Sequence, residues 1–351
     1  DPRDKEYINQ KKAGRILESI FPDQPNHPGI AHYIIHNYDN PVLAPMALST
    51  ARRYADIAPS SAHAQHMPSH IFTRLGLWEE SINSNIQSAS AAQCYAEENN
   101  MTGLWDAEVH AMDYMVYAYL QRGDNFRANQ QYQYLLTIEE LVAPSGPYNF
   151  AAIPARIVLE NKDWDNAARL KLHEADVSWK DHPWELALTH FARALGASNS
   201  GDVKSAEEEV KVLRSLNQQL VTMGNTYEAN QVMIQIRSAE AWLSFAKGKL
   251  DEALTFMQEA AEMEDQTDKH PKTPCELIPA RELLGDMLLE MNRPGEALEA
   301  YELDLYDHPN RFNGIYGAAV ASKRLGDLKK SSYYNNKLIS LTEGIDSDRP
   351  E

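Results

Sequence analysis

Apolar residues recur along almost the whole chain at spacings of three and four, broken by short turns rich in Gly and Asp-Asn. Such spacing lays apolar side chains along one stripe of a helix, and β-branched runs are few. The pattern therefore predicts helices joined two by two into hairpins. The turns give the register. Gly76, Gly123, Lys162, Gly201, Gly248, Asn292 and Gly326 each open a turn that leads, five residues on, to a small residue inside a second helix. With that turn at the fifteenth position, units begin at Ala62, Val109, Tyr148, Ala187, Ile234, Ile278 and Phe312, and one repeat before the first of these a unit begins at Pro28. The last two starts fall 34 residues apart. Wider spacing in the middle implies extended helices or loops.

Other positions agree with the period. Ser69 falls at position 8 and Phe72 at 11; in the preceding unit Ala47 falls at 20 and Pro59 at 32. The unit from Ile278 places Gly285 at 8, Tyr301 at 24 and Pro309 at 32. A 34-residue helix–turn–helix unit with these residues is the tetratricopeptide repeat, so the expected fold is an all-α, tetratricopeptide-type α-solenoid coiling as a right-handed superhelix. At 351 residues the chain exceeds one ordinary core, a limit that does not bind a solenoid because each repeat packs on its neighbours. Residues 28–346 hold about eight repeats. Residues 1–27 read as the second helix of an N-terminal repeat whose first helix is missing, as in the C-terminal part of a longer protein. Residues 347–351 read as a polar tail.

The register has a consequence for the histidines. Six of the twelve lie between His27 and Gly76. His32 and His36 form one H-x-x-x-H pair and His66 and His70 another, displaced by 34 residues, so both pairs occupy positions 5 and 9 of consecutive repeats. In such solenoids positions 2, 5, 6, 9 and 13 of the first helix line the concave groove. His63 and His110 fall at position 2, Asp113 at 5 and Tyr117 at 9. An i, i+4 pair sets two imidazoles one turn apart, about 6 Å between Cα atoms. A neighbouring helix about 8–10 Å away lets the next pair converge.

Imidazole with carboxylate suits Zn, Cu, Ni or Fe(II) rather than Ca or Mg. The expected metal set is His32, His36, His66, His70, His110 and Asp113, holding one transition-metal ion or two. His63, Tyr117, Arg156, Trp242 and Glu282 are the expected ligand-binding positions, with Glu282 and Asp286 placed across the channel from the histidines. Two plainer readings use the same residues: a metal-free polar groove for a peptide or small molecule, and histidines that only pack. Pro68 sits between His66 and His70 and is expected to kink the helix that carries them. His270 and His308 precede prolines and read as inter-repeat loop residues; His173, His182 and His190 stand apart.

Composition narrows the functions. A formal charge of −18 argues against a nucleic-acid partner. No apolar run reaches membrane-spanning length. Cys94 and Cys275 make neither a disulfide framework nor a C-x-x-C knuckle. No nucleophile elbow, P-loop, Rossmann glycine run or HExxH is present.

At HPGIAHYIIHNYD, HAQHMPSHIFTRLG, HAMDYMVYAYLQ and IPARELLGDML the chain resembles a family of bacterial tetratricopeptide-repeat proteins, over nearly its whole length. Members typically carry a signal sequence and further repeats ahead of this stretch, which implies export to the periplasm or beyond. The resemblance implies no particular reaction. Two functions are therefore expected: a module that binds a metal, peptide or small ligand in its groove, or a metal-dependent hydrolase or oxidase with an open coordination position. In the second, Asp113, Tyr117 or a spare histidine would act as base or substrate anchor.

Overall fold

The computed structural model describes residues 6–347 and 349, apart from 140, 143–145, 175–176 and 268–271. His270 and most of the 347–351 tail thus lie outside the described residues. Helix α1 (Ile8–Ile20) leans on the first of eight helical hairpins among the described residues. These are α2 (Pro28–Asn37) with α3 (Ala44–Ile57), then α4 (Ala62–His66) and α5 (Pro68–Arg74) with α6 (Trp78–Glu98). Next come α7 (Asp106–Gln121) with α8 (Asn125–Leu136), α9 (Gly146–Glu160) with α10 (Trp164–Ala168), and α11 (Pro183–Asn199) with α12 (Val203–Met223). The last are α13 (Thr226–Ala246) with α14 (Leu250–Asp265), α15 (Ala280–Glu290) with α16 (Pro294–Asp307), and α17 (Phe312–Arg324) with α18 (Leu328–Leu341). The fold is an all-α solenoid. Among the described residues, the strand pairing is confined to two residues on each side, Leu104–Trp105 running parallel to Leu141–Val142.

The extra spacing in the middle repeats goes partly into helix length, since α12 and α13 each run 21 residues. The turns explain why the hairpins form where they do. At Gly201 the backbone takes a φ of +81°, which ends α11, and the next residue, Asp202, accepts a hydrogen bond from the Ser205 N–H to start α12. Asp124, Asp163 and Asp327 cap α8, α10 and α18 in the same way. A left-handed residue followed by an aspartate cap stops one helix and starts the next.

The superhelix also closes on itself. The turn before α6 packs against the loop between α16 and α17. Trp78 Nε1 donates to the Asn310 carbonyl at 2.8 Å, and Asn310 Nδ2 donates to the Gly76 carbonyl at 3.2 Å. Gly76 has a φ of +63°, and a Cβ there would stand 2.2 Å from the Pro309 carbonyl oxygen. Only glycine fits both the turn and the approach.

Inside the closed turn a buried ionic network spans the bore. Arg311 Nε and Nη2 donate to the two Glu282 carboxylate oxygens at 2.9 and 3.0 Å, and Nη2 also reaches Glu160 at 2.8 Å. Its Nη1 donates to the Tyr117 hydroxyl at 3.2 Å. All three charged side chains have no exposed surface.

Candidate metal centre

Six histidines gather on the inner face of the first three hairpins. His32 and His36 stand one turn apart on α2, His63 and His66 on α4, His70 on α5 and His110 on α7. They resolve into two triads, His32–His36–His63 and His66–His70–His110. Within each, one potential ligand atom per residue lies within 4.8 Å of the others. The first triad is exposed apart from half-buried His32; in the second, His66 and His70 are buried and His110 half-buried.

Pro68 does not spoil the shared face. Met67 keeps helical dihedrals (φ −51°, ψ −39°), and Pro68 takes the first position of α5, where a missing N–H is tolerated. The expected kink shows only as a break between α4 and α5, and His66 and His70 still meet.

The hydrogen bonds around that pair assign its tautomers. Asn85 Nδ2 donates to the Ser81 carbonyl at 2.8 Å, which turns its Oδ1 towards His66 Nδ1 at 2.6 Å. An amide oxygen only accepts, so His66 Nδ1 carries the hydrogen. His70 Nδ1 lies 2.9 Å from Asp39 Oδ2, while Arg74 Nε donates to Asp39 Oδ1 at 2.9 Å. Tyr114 gives its hydroxyl hydrogen to the Thr273 carbonyl at 3.1 Å, so its oxygen also faces His70 Nδ1, at 3.4 Å, as an acceptor. His70 Nδ1 therefore carries a hydrogen as well. The two Nε2 atoms face each other at 3.1 Å. Facing nitrogens at that distance need a cation between them, either a proton shared as an N–H···N hydrogen bond or a metal ion bonded to both lone pairs. Burial, then the neighbouring His110 and His70, hold the His66 imidazolium well below its ordinary pKa, so His66 is neutral at pH 7. Burial and nearby histidines lower His63 and His32 too.

The donor set fits a transition metal. Metal–nitrogen bonds of about 2.0–2.1 Å at a tetrahedral angle separate two ligand nitrogens by about 3.3 Å. A carboxylate on the far nitrogen of one ligand and an amide oxygen on that of another are the partners that orient metal-binding imidazoles.

Other expected site residues lie elsewhere. Asp113 is not brought to the histidines: fully buried, it pairs with Arg156 Nε at 3.0 Å, because position 5 of α7 faces α9. Burial raises its pKa against the pull of that guanidinium. Arg156 is likewise structural, with Nη1 and Nη2 donating to the Glu276 and Cys275 carbonyls at 2.6 and 2.7 Å. Tyr117 is core, edge-on to Trp78 and flanked by the Arg156 and Arg311 guanidiniums. Glu282 faces Arg311, and Asp286 pairs with Lys162 at 2.7 Å; neither faces the histidines. Trp242 packs on Phe245 and lines a separate groove of the later repeats, with Trp164 and Tyr316. Of the ligand-binding positions, only His63 joins the cluster.

Asp39 and Asn85, which fall outside the expected set, complete the site together with Tyr114, which opens the tyrosine-rich stretch Tyr114–Tyr119 expected near it. Asp39 follows His36 by three residues, a signal that was available; Asn85 lies on the second helix of its hairpin, outside any groove position. His308 is not simply a loop residue. It lies between Asp304 (Nδ1, 2.9 Å) and Glu276 (Nε2, 3.3 Å), with the Cys275 thiol donating to Glu276 at 3.3 Å. Burial opposes its charge, but Asp304 outweighs that and raises its pKa well above the ordinary value. A doubly paired imidazolium has no lone pair for a metal, so this third group is an ion-pair cluster.

The class of protein is thus a closed, all-α helical-repeat solenoid with a two-tiered histidine cluster on its inner face. No family model matches the chain, and no curated protein matches it. Among solved structures it is similar to the anaphase-promoting-complex hetero-tetramer Cut9–Hcn1 (10% identity, 97% of this chain and 92% of that one, TM-score 0.29). It is also similar to Naa15/Naa10 bound to HypK (12%, 97% and 63%, TM-score 0.23) and to a circular tandem repeat protein (13%, 95% and 76%, TM-score 0.19). No helix among the described residues is long and apolar enough to cross a membrane.

Proposed function

We propose that the protein is a binding module whose inner face holds one transition-metal ion at His66, His70 and His110, and presents it to a small polar or peptide ligand. The observation that carries this reading is the 3.1 Å approach of the His66 and His70 Nε2 atoms, each ring fixed from behind by Asn85 or Asp39. Two buried imidazoles and a half-buried third suit Zn, Cu, Ni or Fe(II). The bound ion would supply Lewis acidity. The chain's own residues orient the rings, exclude water from two of them, and set the Tyr114 hydroxyl beside His70. Export to the periplasm or beyond belongs to the same proposal and is tested by fractionating cells that express the full gene.

A second reading has its own support. Three protein nitrogens leave a tetrahedral ion one open position, as in catalytic rather than structural zinc sites. Metal-dependent hydrolysis or oxidation is the activity to screen for.

The deciding experiment is elemental analysis of purified protein after exposure to Zn, Cu, Ni and Fe(II), beside His66→Ala/His70→Ala. A stoichiometric ion lost in the double variant is the expected result. Wild-type protein that takes up none of the four sinks the reading.

A further inference from the structure

Resting on that reading, we infer that the outer triad His32–His36–His63 is a separate solvent-facing docking site that captures the ion first and passes it inward through His36 and His70. The two triads differ in the property that governs exchange. His36 and His63 are exposed, so an ion held there keeps several water ligands and leaves quickly; His66 and His70 are 2% and 3% exposed, so an ion held there is shielded on their side and slow to leave. The rings form an unbroken file. Centroid separations run 5.0 Å from His63 to His32, 4.6 Å to His36, 5.7 Å on to His70, 4.9 Å to His66 and 4.3 Å to His110.

Such spacing allows an ion to move by ligand exchange without ever being bare. A bond to His70 Nε2 forms while bonds to His32 and His63 break, and His36, whose ring centroid stands 5.7 Å from that of His70, is the last outer donor released. No electron changes hands. The displaced donors are water and neutral imidazole, so the ion's charge is unaltered by the transfer. Two sites of one geometry in the 34-residue register would have equal exposure if each were merely a copy of the other. Here the second pair is covered by α6, which brings Asn85, and by α7, which brings His110 and Tyr114, whereas His36 of the first pair and its neighbour His63 are exposed.

The test uses Co(II), whose d–d absorption reports on coordination, mixed rapidly with the whole chain. Wild type and His32→Ala/His63→Ala are compared for final stoichiometry and for the rate at which the tight site fills. The expected result is an unchanged tight ion in the variant, with filling slowed about tenfold or more. Equal filling rates in the two proteins overturn the inference while leaving the tight site standing. Absence of a tight ion in wild type overturns the reading beneath it. Loss of the tight ion in the variant, with unchanged thermal unfolding, also overturns the inference, because the outer histidines would then be part of one site.

Discussion

Asp39 and His70 are 31 residues apart, yet a carboxylate oxygen of the first sits 2.9 Å from Nδ1 of the second and decides which nitrogen His70 turns towards His66. The same carboxylate is fixed by Arg74, so the orientation is supported from two sides. The consequence for metal affinity is direct. Asp39→Asn should weaken binding about 10–100-fold, in line with the loss of other carboxylates that hold a ligating imidazole. Competition against a chromophoric chelator measures it, and unchanged affinity would mean that His70 is not a ligand.

Asp113 offers the opposite expectation. Asp113→Asn should leave metal stoichiometry unchanged but destabilise the fold by about 3–5 kcal/mol, since it strands the buried Arg156 charge. Denaturant titration and elemental analysis of one preparation read both effects. Loss of metal with full stability would return Asp113 to the site.

The closure contact can be isolated with two alanines. At Gly76→Ala the new methyl meets the Pro309 carbonyl, whereas at Gly201→Ala, with a similar positive φ, nothing lies within 4 Å. Left-handed strain alone is worth about 1–2 kcal/mol. Gly201→Ala should show only that, and Gly76→Ala measurably more in the same urea titration. Equal losses would mean that the contact carries no energy.

His308 sets an alkaline dependence. Its pKa is raised in the folded chain, against about 6.5 when unfolded, so its stabilisation is complete below pH 6.5 and is lost as pH climbs through the folded value. Unfolding free energy measured from pH 6 upward should fall, and His308→Asn should flatten that fall. A variant with the wild-type slope would assign the dependence elsewhere.

The fold was legible because turns and apolar spacing are local properties. Gly-Asp punctuation located the hairpins, although the longer middle repeats shifted some helix starts by several residues, as at Ile234 against Thr226. The histidines were legible because they repeat with the period that sets the register. What escaped was whatever depends on a second helix or a distant repeat. Asn85 reaches His66 from α6, and Glu282 meets Arg311, not the histidines, because of how the superhelix closes. Groove positions were read as open lining, but in a closed turn several of them are interior, and buried charges there find one another.

The clasp between Trp78 and Asn310 changes what kind of object this is. An open repeat array behaves as a spring: it stretches, frays from its ends and widens to admit what it grips. Fastened coil to coil, this one is a closed collar. Prising its first hairpins from its last would first break the hydrogen bonds that join Gly76 and Trp78 to Asn310.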